Sequence, residues 1–93
     1  MYATFNRFEL RMTKAQAESA SHSGLCDADV EVLVRDKSIA KQLDSIGPDR
    51  IRAELGEYGA WDEEQLADDE DNRHRIVWIA AGDIVEEMRR KSR

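Results

Sequence analysis

An all-α fold is predicted for this chain: a compact bundle of four to five helices with a long central C-terminal helix and an extended N-terminal arm. Three observations predict it. Gly24, the Gly47-Pro48 pair and Gly59 cut the first two thirds into stretches the length of short helices. Ile39, Leu43 and Ile46 repeat at i, i+4 and i+7, the apolar stripe of an amphipathic helix. The segment IVWIAA, residues 76–81, is apolar around almost its whole circumference, which suits a helix surrounded by others.

The leader MYATFNRFELRM, residues 1–12, alternates Phe8, Leu10 and Met12 after Phe5, so it reads as an extended arm lying on the body. TKAQ then places Thr13 three residues before Gln16, a capping box, and opens a helix from about Lys14 to Ser23. Its apolar residues are Ala15, Ala17 and Ala20, which allow close approach to a neighbour but bring little area. Gly24 suits a left-handed helix end. Leu25 and Cys26 form a short connection, with Cys26 a small buried hydrophobe. Asp27 is placed to cap a second helix, ADVEVLV, whose Val30, Leu33 and Val34 share one side, with Asp29 and Glu31 at the positive end of its dipole.

Ser38 is the expected cap of the third helix, IAKQLDSI. Gly47 stops that helix and Pro48 suits the first position of the fourth, where Ile51, Leu55 and Tyr58 form a stripe before Gly59. Asp62, with Gln65 three residues on, marks an isolated helical turn. The long helix begins near Asp69 and runs to about Arg90. Within it Gly82 costs about 1 kcal/mol relative to alanine, so a neighbour is expected to pack against it. Trp61 and Trp78 are expected to anchor the core. The whole is a single domain, 1–93, with 1–12 the arm and 89–93 a basic tail that suits the negative end of the last helix.

Composition narrows the functions. Leu, Ile, Val and Phe together number 19 of 93 residues, near the level below which a charged chain stays disordered, so the core must be small. Charged residues make up 37%, with 20 acids against 14 bases. That balance argues against direct nucleic-acid binding, which needs a basic footprint. A single cysteine forms no internal disulfide, no leader pattern opens the chain, and no apolar run reaches the length of a membrane span. A soluble, cytoplasmic protein is expected, without a membrane contact.

His22, Cys26 and His74 are the only residues that suggest a metal site. Zinc needs four ligands, commonly in two close pairs. Here one His-x3-Cys pair stands alone, and neither a second pair nor an oxyanion hole marks a nucleophile. No catalytic residue and no cofactor is therefore assigned, and binding rather than catalysis is expected.

The feature most open to a functional reading is acidic. Between Ala53 and Asn72 lie Glu54, Glu57, Asp62, Glu63, Glu64, Asp68, Asp69, Glu70 and Asp71, with no Lys or Arg among them. Acids gather at helix N-termini because the dipole favours them, and a charge run is usually a solvated face. The same run also has the charge to imitate nucleic-acid phosphates and occupy a basic groove on a protein partner, with steering from its long-range field.

SHSGLCDADV, YGAWDEEQLADDEDN and RIVWIAAGDIVEE resemble blocks of a group of small accessory proteins encoded in bacterial prophages, phages and integrative elements. The resemblance spans residues 8–87 and carries no functional residue over, because the group's role is unassigned. What it implies is a setting in which accessory genes encode small acidic inhibitors of host defence, of anti-CRISPR and anti-restriction type. The leading expectation is therefore an inhibitor that binds a nucleic-acid-binding defence protein. An alternative is a module for a phage-encoded partner or for self-assembly into a homodimer, through apolar surface at Met12, Tyr58 or Trp61. A metal-binding protein using His22, Cys26 and His74 is the third.

Overall fold

The computed structural model describes residues 1–25 and 27–91. Two strands, β1 (Tyr2–Thr4) and β2 (Glu9–Arg11), precede α1 (Lys14–Ser21), α2 (Ala28–Arg35), α3 (Lys37–Ile46), α4 (Pro48–Tyr58) and α5 (Asp69–Lys91), with a single 3-10 turn, Gln65–Ala67, before α5. The architecture is largely all-α, as the helical periodicity predicts. The readings attached to Cys26 and to the last two residues of the basic tail fall outside the described residues.

The N-terminal arm is not a single extended strand. It doubles back as an antiparallel hairpin, pairing Tyr2 with Arg11, Ala3 with Leu10 and Thr4 with Glu9. One strand alone would leave its backbone groups to water, whereas the hairpin pairs them and turns Ala3, Phe5, Leu10 and Met12 into the core. Phe8 packs on Phe5, ring centroids 5.0 Å apart. Beyond the Thr4–Glu9 pair the Phe5 N–H donates to Phe8 O at 2.9 Å, leaving Asn6 and Arg7 as the two residues of the tip. Neither has a positive φ, so the loop lacks the primed-turn geometry that two-residue hairpins favour. Carboxylates of α4 hold it instead: the Arg7 N–H donates to Glu54 Oε1 at 2.7 Å, and the Asn6 side-chain amide donates to Glu57 at 2.8 Å.

At 23 residues α5 is about 35 Å long by the 1.5 Å rise per residue, close to the 40 Å long dimension of the molecule. It is the axis on which α1, α2, α4 and β1 pack. Ile76, Val77, Ala80, Ala81 and Ile84 are fully buried, while Trp78 and Ile79 sit at the margin of the core. The alanine face of α1, Ala17 and Ala20, is buried as expected; Ala15 is exposed. Trp78 reaches over the end of α1 and donates its indole N–H to Ser23 O at 3.0 Å.

Several local expectations give way to better hydrogen bonds. α1 ends at Ser21, and Gly24 does not adopt a positive φ; its N–H donates to Asp27 Oδ2 at 2.7 Å. Asp27 thus occupies the cap position of α2 but turns its side chain backward, away from the helix. Asp36, not Ser38, caps α3, accepting from the N–H groups of Ser38 and Ile39, both at 3.1 Å. Gly47 (φ 89°) and Gly59 (φ 69°) do take conformations that side chains resist. The predicted stripe of α4 holds at Ile51 and Leu55, but Tyr58 is 49% exposed and Glu54 takes the inward place. Among the described residues nothing packs on Gly82: a Cβ there would meet no atom within 4 Å.

Candidate functional site

The nine acids of the run divide into two groups once folded. Glu54 is 2% exposed and Glu57 lies beside it on α4; both serve the hairpin tip. Arg7 Nη1 lies 2.7 Å from Glu57 Oε1 and 3.3 Å from Glu54 Oε1. The Arg7 hydrogen bond, and after it the Asn6 amide, hold the Glu57 carboxyl below its usual range, and Glu57 in turn raises Arg7. Glu54 is therefore unavailable to a partner, and Glu57 is engaged.

The other seven, Asp62, Glu63, Glu64, Asp68, Asp69, Glu70 and Asp71, are all exposed and cluster around the 3-10 turn and the first turn of α5. Three of them build the scaffold. Asp62 and Gln65 bond reciprocally, side chain to backbone N–H, at 2.8 and 3.0 Å. Asp68 Oδ1 accepts from the Asp71 N–H at 3.1 Å, and Asp69 pairs with Arg52 at 2.9 Å. The carboxylates of Glu63, Glu64, Glu70 and Asp71 make no hydrogen bond or ion pair among the described residues.

A polar trio fixes this acidic surface, with Asn72 and Arg75 buried and Arg52 reaching in from an exposed position on α4. Asn72, 1% exposed, donates to Leu66 O at 2.8 Å, and Arg52 Nε reaches the same carbonyl at 3.1 Å. Arg75 donates to Gln65 O at 3.0 Å and to Asn72 Oδ1 at 2.8 Å, with its guanidinium 5.3 Å above the ring of Trp61. Trp61 is thus a half-buried lid on Arg75 rather than a deep anchor. Sequence reasoning missed Asn72 and Arg75 as core residues. The signal was the stripe Ile76, Ala80, Ile84, which at a spacing of four extends backward to Asn72.

Of the remaining sequence candidates, His22 and His74 are described and Cys26 is not. His22 is exposed at the end of α1, and His74, half-buried on α5, sets Nδ1 2.9 Å from Glu70 O. Cys26 lies outside the described residues. Among the described residues no group of three or more His, Cys, Asp or Glu is arranged to hold a metal ion. His74 does line a shallow cleft with Leu25, Asp71 and Arg75, but Arg75 is already bonded to the scaffold. Of the apolar contacts expected for self-assembly, Met12 is 5% exposed and buried in the core, which removes it from any surface. No helix among the described residues is long and apolar enough to cross a membrane.

No family model, curated protein or solved structure matches this chain.

Proposed function

We propose that this chain is a small non-catalytic protein, working in the cytoplasm and carried by a mobile element, that docks its acidic end on a basic groove of a nucleic-acid-binding partner. Inhibition of host defence, of anti-CRISPR or anti-restriction type, is the use that fits such docking. One observation carries the reading. Seven exposed carboxylates sit on a scaffold locked by Arg52, Asn72 and Arg75, and four of them, Glu63, Glu64, Glu70 and Asp71, do no internal work. A fixed backbone leaves only side-chain rotamers to be ordered on binding, and the summed field of the carboxylates steers a basic surface toward them.

The test is capture of partners from bacterial extract on the immobilised protein, with duplex DNA as competitor and with a salt ladder. The expected partner is a nucleic-acid-binding protein displaced by DNA and by 1 M salt, where the Debye length falls to about 3 Å. The combined variant Glu63→Lys, Glu64→Lys, Glu70→Lys and Asp71→Lys should lose that partner while keeping its helical circular dichroism. A partner retained by this variant, or one indifferent to DNA, refutes the phosphate-mimic reading.

A further inference from the structure

The two edges of the N-terminal hairpin are finished differently. Hydrogen bonds from Phe5 N to Phe8 O (2.9 Å) and from Met12 N to Met1 O (3.0 Å) set the phase of the ladder. Tyr2 and Thr4 on β1, and Glu9 and Arg11 on β2, consequently turn their N–H and C=O groups outward. On the β2 side Gln42 of α3 covers Arg11. Its Oε1 accepts from Arg11 N at 2.7 Å and its Nε2 donates to Arg11 O at 2.9 Å, so an amide stands where the peptide of a third strand would be. On the β1 side the outward groups of Tyr2 and Thr4 have no hydrogen-bond partner among the described residues, and both residues are exposed. Open edges of this kind are templates for pairing with another chain.

A groove of about 230 Å³ runs beside that edge, between β1 and α5, lined by Ala3, Thr4, Asp83, Glu86, Glu87 and Arg90. Glu86 and Glu87 hold Arg90 (3.0 Å) and Lys91 (3.5 Å) in exposed pairs one helical turn apart. Asp83 has neither a cation nor a hydrogen bond among the described residues. Burial, and then the charge of Glu86, push its carboxyl above the usual range.

We propose that the open edge of β1 is a docking site for an extended segment of a basic protein, which adds as a third strand and sets a Lys or Arg against Asp83. A strand added about 4.8 Å from β1 lies over the groove, and its side chains on the Ala3 face point toward α5. Charge selects the occupant. A second copy pairing through β1 would offer Ala3 on that face and leave Asp83 without a cation, whereas a basic segment supplies one. The site stands independently of the acidic end: from Asp71 to Asp83 the axis of α5 advances about 18 Å.

Titration of isotope-labelled protein with a terminally blocked peptide of alternating Lys and Val, followed by NMR, tests this. Amide shifts should concentrate at Tyr2–Thr4 and Asp83–Glu87. Affinity should fall at least about fivefold in Thr4→Pro, which removes an outward donor, and in Asp83→Lys. The peptide N-methylated on every residue should not bind. Should Thr4→Pro fail to fold, Asp83→Lys and the methylated peptide still decide. Shifts confined to residues 62–71, or binding indifferent to N-methylation, would overturn the site. So would a concentration-dependent dimer of the free protein pairing through β1.

Discussion

Removal of the Glu54 carboxylate should loosen the N-terminal hairpin from the helical body more than any other single change to an acid. This carboxylate is 2% exposed, and its main partner is a backbone group, the Arg7 N–H at 2.7 Å. A hydrogen bond to a charged group contributes about 1.5–3 kcal/mol. The second bond, to Arg7 Nη1, is long at 3.3 Å and involves a side chain 40% exposed, so solvent screening leaves it the minor partner. Glu54→Ala should therefore cost about 2–4 kcal/mol once lost packing is added, a fall in melting midpoint of about 10–20 °C for a domain of this size. Glu54→Gln keeps an acceptor and should cost about 1 kcal/mol. Arg7→Ala leaves the N–H in place and should lower the midpoint far less than Glu54→Ala does. Thermal denaturation by circular dichroism gives the three values, and hydrogen exchange at the Arg7 amide reports the bond itself. Equal losses in Arg7→Ala and Glu54→Ala would refute the backbone latch and assign the energy to the ion pair.

Three further changes follow from the geometry. Gly82→Ala should stabilise by up to about 1 kcal/mol, because Gly82 is within α5 with open space around it; a loss of stability in chemical denaturation would mean that something covers it in solution. Asp36→Ala should cost about 1 kcal/mol by removing two bonds to the start of α3, while Ser38→Ala should change the unfolding midpoint little. The stability Glu57 adds depends on its ionised form, whose folded carboxyl titrates below the ordinary 4.5. That contribution is complete above the unfolded value and disappears as pH falls through the folded one. The difference between parent and Glu57→Gln in urea denaturation should accordingly be constant near neutrality and vanish in acid; a difference that persists at low pH would refute the charged contact.

What was legible in the sequence is what depends on neighbours three or four residues away. The Thr13–Gln16 capping box, the breaks at Gly47-Pro48 and Gly59, the Asp62–Gln65 turn and the start of α5 near Asp69 all stand where spacing puts them. What failed turned on a distant partner or on a better-placed local competitor. The hairpin loop carries no Asn-Gly or Asp-Gly signal, because its conformation is held by Glu54 and Glu57, about fifty positions along the chain. Ser38 lost the cap to Asp36, two residues earlier, whose carboxylate reaches two N–H groups at once. Tyr58 left its stripe because the inward place on α4 went to Glu54.

The acidic run illustrates the same division within one segment. Read along the chain, nine carboxylates without a base look like one surface. In space, Arg7 takes two and Arg52 takes a third, while Asp62 and Asp68 spend their oxygens on backbone N–H groups. Internal bonds thus engage five of the nine, and Glu63, Glu64, Glu70 and Asp71 are the four left outside them. These four share one feature: replacing them disturbs no bond of the fold. A neutralising series at these positions therefore separates the two origins of the charge. Acids present only to complement the α5 dipole are worth about 0.3–1 kcal/mol each and should show their loss in stability, chiefly at Glu70 and Asp71 in the first turn. Glu63 and Glu64 precede that turn, so Glu63→Gln and Glu64→Gln should leave the melting midpoint unchanged and weaken only partner capture.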